Sequence, residues 1–310
     1  MRIGLIAFGW AAVLATASLV SAQTHPLRGP AEPDQPVQLQ VPTLVPRQPA
    51  PTTPVAAAAP KSPFMLSPEE QTQVDQVLKQ WEEHSQGIKT FDCRFRRWIY
   101  DVVFGPPGRA RFDELGSLRY QAPDRGVFRV ETAMKDNKEV SIDDVRAERW
   151  ICDGKSIFEY RATQKQLIEH KLPPELHGKA IANSPLPFLF GAESQRLKDR
   201  YWIRIVTPPG VTDQIWLEAY PRFQQDAANF HHAEFVIKKD KMAPFALKLV
   251  QPNEKDSIVY QFYDIEVNDP FRLFKGDPFR AFTPIGWQKI VEQPPTSPAE
   301  QARRSPENSR

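Results

Sequence analysis

The side chains with chemistry to offer are six histidines, two cysteines and a plentiful set of carboxylates. His231 and His232 are the only adjacent histidine pair. Neighbouring strand residues point to opposite faces, so the pair reads as a polar turn before a strand rather than as two ligands of one metal. No His-Glu-x-x-His run supplies a metalloprotease helix. Cys93 and Cys152 lack the histidine spacing of a zinc site. In an exported chain two cysteines suggest a disulfide. Two separate buried thiols are the alternative, and sequence cannot fix the separation that decides between them. No Gly-x-Ser-x-Gly elbow is present. Gly105-Pro106-Pro107-Gly108 is a turn, not a phosphate-cradling loop. Asp143-Asp144 and Glu69-Glu70 read as solvated charge, the latter at a helix start where negative charge is favoured. These residues point to no enzyme, no cofactor and no metal.

Charge excludes another class. The net formal charge is +2, so no long-range field collects phosphate backbones, and nucleic acid is not expected as a partner. Arg94-Phe95-Arg96-Arg97-Trp98 mixes basic and aromatic residues, but on a β-alternating segment. The expectation there is outward arginines beside inward rings.

The chain begins with a positive residue, Arg2, an uncharged apolar stretch over residues 5–20, and the small residues Val20-Ser21-Ala22. That order predicts a cleaved secretory signal over 1–22. The stretch is shorter than the ~20 apolar residues of a membrane-spanning helix. Residues 23–63 are Pro-rich and poor in aromatics, which predicts an extended tether. Residues 292–310 read as a polar disordered tail. The folded domain is expected over 64–291, with no later membrane span.

The domain opens with a helix. Ser67, Pro68 and Glu70 form a capping box with proline at the first turn. Val74, Val77, Leu78 and Trp81 make one apolar stripe, and Gly87 stops it. Alternating strands follow at Phe91/Cys93/Phe95, Leu118/Tyr120 and Phe128/Val130, with a turn at 123–126. Asp153-Gly154 is a hairpin signal between Trp150-Ile151-Cys152 and residues 157–160. Further strands are expected at 215–217, 234–238, 245–250 and 257–267. Short helices are expected at 174–182, 192–198 and 224–230. Strands joined by short turns favour an antiparallel meander.

The ordered set of motifs resembles the lipoprotein carrier (LolA/LolB-like) superfamily. It comprises the first helix, Thr90-Phe91-Asp92-Cys93-Arg94-Phe95, Gly116-Ser117-Leu118-Arg119-Tyr120, Ala122-Pro123, the Asp153-Gly154 hairpin, Pro187-Phe188-Leu189-Phe190 and Phe282-Thr283-Pro284. The leader, YQAPDRGVFRVE, LPFLFGA and RYWIRI also resemble an uncharacterised family of secreted planctomycete proteins. The first resemblance implies an α+β fold: a strongly curved antiparallel sheet, or half-open β-barrel, with helices covering its concave face. It also implies an apolar hollow that shields acyl chains. Candidate wall residues are Phe91, Phe95, Leu118, Tyr120, Phe128, Phe158, Phe188 and Phe190; for any one of them ordinary core is the favoured alternative. The chain departs from the superfamily at Ala122, where the carriers place a basic residue before the strand-ending proline. Arg125 and Arg129 lie nearby.

The expected function is that of a periplasmic or secreted, non-catalytic protein holding a lipid, acyl chain or lipoprotein. The rival is an envelope protein-interaction module using open sheet edges. A third reading, an enzyme on an apolar substrate, has no identified residues.

Overall fold

The computed structural model describes residues 61–178, 193–271 and 276–293. The leader, most of the tether, the 292–310 tail beyond Gln293, Phe188 and Phe190 lie outside these residues.

Helix α1, Pro68–Gln86, starts as the sequence dictates. Ser67 Oγ accepts from the Glu70 amide, and Glu70 accepts from the Ser67 amide at 2.8 Å. Val74, Leu78 and Trp81 are buried, with Val77 packed against the same cluster. Gly87 ends the helix in right-handed geometry, so the stop does not need its left-handed freedom.

Among the described residues thirteen strands form one open sheet. Strands β1 (Thr90–Tyr100), β2 (Phe112–Gln121), β3 (Arg125–Lys135), β4 (Lys138–Ser141), β5 (Glu148–Cys152), β6 (Ser156–Arg161) and β7 (Gln166–Lys171) come first. After α2 (Ser194–Arg200) come β8 (Tyr201–Ile205) and β9 (Gln214–Pro221). Then follow α3 (Gln224–Ala227), β10 (His232–Lys238), β11 (Ala243–Val250), β12 (Ser257–Val267) and β13 (Gln288–Glu292). The spatial order is β13-β7-β6-β5-β3-β2-β1-β12-β11-β10-β9-β8, with β4 beside β3. All pairings are antiparallel except β13 with β7. Register shifts at Asp92/Arg94, Leu115/Gly116 and Val236/Ile237 are bulges, which bend and twist their strands.

The meander therefore matches the expected order of strands. The region read as a helix at 174–182 gives only a 3-10 turn, Pro174–Leu176, within the described residues. The helical part is small. Helix α1 packs on β8 and α2, and Trp81 stacks on Phe235 of β10 at 4.8 Å between centroids. Helical contacts thus gather at the β8 end of the sheet.

Both faces of the sheet bury apolar side chains. The inner face carries the main core, from Trp150 and Phe128 through Phe95 and Tyr260 to Phe235 and Ile203, together with α1. The outer face carries a second cluster: Val127, Ile151, Phe158, Tyr160, Leu167 and Phe279. The C-terminal segment covers it, with Ala281 and Trp287 packed alongside. The Tyr160 hydroxyl donates to Phe282 O at 3.0 Å and accepts from Phe282 N at 3.1 Å. Strand β13 then locks onto β7, where Glu292 meets His170 Nδ1 at 2.9 Å and Lys289 meets Glu169 at 2.6 Å. It therefore reaches one residue into the stretch read as tail.

Candidate functional site

Five of the eight expected wall residues come together. Phe91 and Phe95 on β1, Leu118 and Tyr120 on β2, and Phe128 on β3 all lie on the inner face and are buried. Their order follows from the ladders, in which Phe91 faces Tyr120, Phe95 faces Gly116 and Leu118 faces Phe128. Phe95 stacks on Phe128 at 5.0 Å and meets Tyr260 edge-on at 5.5 Å. Around these rings the protein's own side chains fill the face.

Phe158 does not join them. It lies on the outer face with Val127 and Phe279. Adjacent Ile157 and Phe158 are both buried, one on each face, so burial on β6 does not choose a face for Phe158. Phe188 and Phe190 fall outside the described residues.

The inner face also carries a charged group whose side-chain type argued for the outside. Arg97 follows Phe91, Cys93 and Phe95 into the interior, while Trp98 points out beneath Arg96. Arg97 is 3% exposed. Its Nε and Nη2 donate to Glu114 at 2.9 and 2.6 Å, and its Nη1 donates to Glu148 at 2.5 Å. Arg146 approaches Glu114 at 3.9 Å. Burial opposes the Arg97 charge, but Glu148, Tyr260 and Glu114 together hold its proton more firmly than usual. Burial pushes the Glu114 carboxyl up against the pull of Arg97. Ala122 is partly buried against the inner cluster, whereas Arg125 and Arg129 belong to the outer face. Arg125 pairs with Asp277 at 2.5 Å and stacks on Phe279. Arg97 is thus a buried cation on the inner face.

Cys93 and Cys152 are free, buried thiols. Strands β2 and β3 stand between β1 and β5, placing the two cysteines three strand spacings apart, ~14 Å, beyond the reach of a disulfide. Of the two readings left open, separate thiols hold. Burial pushes both thiols far above their usual range, which keeps them protonated and poor nucleophiles. Burial likewise pushes the Tyr120 hydroxyl up to about 12.

The histidine pair departs from expectation. His231 precedes β10, so strict alternation does not bind it, and the two Nδ1 atoms meet at 2.9 Å. One ring must donate and the other accept. No group of three metal-ligating side chains occurs among the described residues. His232, 3.8 Å from Glu234, and Lys248, 2.6 Å away, hold the Glu234 carboxyl down at about 2. A carboxylate lowered by folding stabilises the protein above its unfolded value and loses that contribution as pH falls. We expect Glu234→Gln to remove a contribution of no more than about 3 kcal/mol between pH 4.5 and 2. Urea unfolding of both proteins across that range tests it, and parallel pH profiles would refute it.

A cavity of about 560 Å³ is lined by none of the five wall residues. It lies beside outward residues of β1, β2 and β12, among them Arg94, Ser117 and Arg119, and reaches Gly276 and Pro278. A smaller one of about 170 Å³ lies between the start of α1 and β8, near Phe64, Leu66, Val74 and Ile203.

No family model matches the chain, and no curated protein does. The planctomycete likeness therefore rests on its motifs alone. Among solved structures, an uncharacterised conserved protein from Thermus thermophilus is similar at 12% identity, with 71% of this chain and 99% of that chain covered and a TM-score of 0.39. A LolA superfamily protein from Nitrosomonas europaea is similar at 9% identity, with 66% and 98% covered and a TM-score of 0.31. The lipoprotein LppX from Mycobacterium tuberculosis is similar at 10% identity, with 64% and 97% covered and a TM-score of 0.34.

Proposed function

We propose that the chain is an exported, non-catalytic binding protein that holds an acyl chain or an acylated partner against the inner face of its sheet. The observation that supports this reading is the apolar wall of Phe91, Phe95, Leu118, Tyr120 and Phe128. It spans β1 to β3, while α1 and α2 gather at the β8 end. A guest enters there by displacing side chains that now cover the wall, and it gains ~25 cal/mol per Å² of its own apolar surface taken out of water, about 0.8 kcal/mol for each methylene, with no bond made or broken. In this reading residues 1–22 direct export to the periplasm or beyond, and residues 23–63 tether the half-barrel domain of 64–291.

Extraction and mass spectrometry of the native protein test the proposal, together with displacement of a fluorescent fatty-acid probe. Co-purified lipid and saturable, displaceable probe binding are expected. A lipid-free protein that leaves the probe unbound would sink it.

One observation favours a second reading, a protein-interaction module. Strand β8 is a sheet edge. Arg222 N donates to Arg200 O, and Val206 N donates to Trp216 O. That register turns the even-numbered residues toward β9 and the main chain of Ile203 and Ile205 toward the open edge, where a partner strand could add. A stoichiometric protein captured from envelope extracts, without bound lipid, favours this reading over the first.

A further inference from the structure

The outer face carries an arrangement that neither reading uses. One transverse row of the sheet reads Arg94, Ser117, Arg129 and Arg149 across β1, β2, β3 and β5. Arg129 and Arg149 are direct cross-strand partners. Like charges so placed repel and are ordinarily avoided. Carboxylates normally resolve such a conflict, yet among the described residues neither guanidinium is ion-paired. The Nε atoms of both are buried without a hydrogen-bond partner. Arg119, two residues along β2, adds a fourth arginine, although Asp92 holds it at 3.3 Å.

Arg149 is held in place. Its guanidinium carbon lies 4.3 Å from the centre of the Tyr160 ring and 5.2 Å from that of Phe282. A guanidinium stacked on rings keeps its edge N–H groups free for an in-plane acceptor. Burial lowers the Arg129 pKa, Arg149 lowers it further, and Glu131, two residues along the same strand, offsets this only in part. The 560 Å³ cavity begins beside this row at Ser117 and Arg119. Asp92, Asp264 and Glu266 also line it, on β1 and β12, on the side of Ser117 away from Arg129 and Arg149.

The geometry points to an oxyanion site, suited to a phosphate group, formed by Arg129, Arg149 and Ser117 on the outer face of the sheet. Two guanidiniums offer paired N–H donors that match phosphate oxygens. The Ser117 hydroxyl adds a neutral donor, and the adjoining cavity leaves room for whatever the phosphate is attached to. The site stands on the opposite face from the apolar wall, so it does not depend on the lipid reading.

The test uses the full exported chain. Thermal unfolding and calorimetric titration are run with sodium phosphate against sodium chloride at equal ionic strength. Flotation is run with phosphatidylcholine vesicles with and without phosphatidylglycerol. Saturable stabilisation by phosphate is expected, weakened at least tenfold in affinity by Arg129→Gln and by Arg149→Gln, and unchanged by Lys135→Gln. Phosphate binding without flotation assigns the site to a free phosphate or small ester. Flotation that needs phosphatidylglycerol and fails in both arginine variants assigns it to a lipid headgroup. Because each variant removes a cross-strand repulsion, both are expected to fold, and near-wild-type melting in chloride checks this. No phosphate-specific stabilisation together with no flotation, or binding that survives both substitutions, overturns the proposal.

Discussion

Replacing Arg97 with methionine is expected to lower the unfolding free energy by about 3–5 kcal/mol, because it strands buried carboxylates rather than because it removes a strong bond. Glu114 is 1% exposed at its side chain and Glu148 10%, and Arg97 bonds both. Without it the nearest cation to Glu114 is Arg146 at 3.9 Å. A buried, unpaired carboxylate escapes its penalty by taking a proton. The deficit in Arg97→Met is therefore largest at neutral pH and narrows as pH falls toward the unfolded carboxylate value of about 4.3. Removing all three charges, as in Arg97→Met with Glu114→Gln and Glu148→Gln, is expected to recover much of the loss, since neutral replacements of a buried charged group are often tolerated. Urea unfolding of the single and triple variants at pH 7 and pH 5 decides the matter. A single variant within about 1 kcal/mol of the parent, or a loss that does not change with pH, would show that the network contributes little.

That network was not legible in the sequence, and the reason is physical. Alternation reports which residues share a face, and it correctly grouped Phe91, Cys93 and Phe95. It also placed Arg97 with them, but side-chain type argued the opposite way. The compensation lies 17 residues away at Glu114 and 51 away at Glu148, and only strand pairing brings them together. The same limit explains Phe158. Phe158 and Tyr160 alternate with Glu159 and Arg161, so they share a face, but alternation does not say which face, and these rings became core on the outer side only because the C-terminal segment returned over them. That return is a parallel pairing of β13 with β7 across more than a hundred residues, which no local motif announces.

What the sequence carried well was local. The capping box of α1, the Asp153-Gly154 hairpin and the strand order each depend on a few adjacent residues. Asp153 Oδ1 accepts from the amides of Lys155 and Ser156 at 2.8 Å, and Gly154 takes a φ of 92°. The outer-face arginines are an intermediate case. Their types and parity were visible, but Arg129 could not be set opposite Arg149 until β3 was known to pair with β5.

Gly116→Ala should cost about 2–3 kcal/mol, a large effect for one methyl group. Gly116 lies in β2 between Phe95 of β1 and Val130 of β3. A Cβ there would meet the Arg129 carbonyl oxygen at 2.1 Å and Cζ of Phe95 at 2.4 Å. The ring crosses the glycine to stack on Phe128 two strands away, so the missing side chain is what lets the two rings meet. A flexible side chain could swing aside, but Phe95 is fully buried and Arg129 O belongs to the backbone of the neighbouring strand. Relief therefore requires the strands to part or slip. Loss of that magnitude in a domain of this size lowers the melting temperature by roughly 4–12 °C. Shrinking the ring with Phe95→Leu in the Gly116→Ala background is expected to restore only part of the loss, because the carbonyl contact remains. Gly108→Ala is the control for glycine's backbone freedom: its φ is +66° and nothing lies near its Cβ direction, so only conformational strain, about 1–2 kcal/mol, is expected there. A Gly116→Ala protein that unfolds with its parent would mean that β2 and β3 can shift at this point without penalty, and the tight stacking of Phe95 on Phe128 would then not be a fixed property of the inner face.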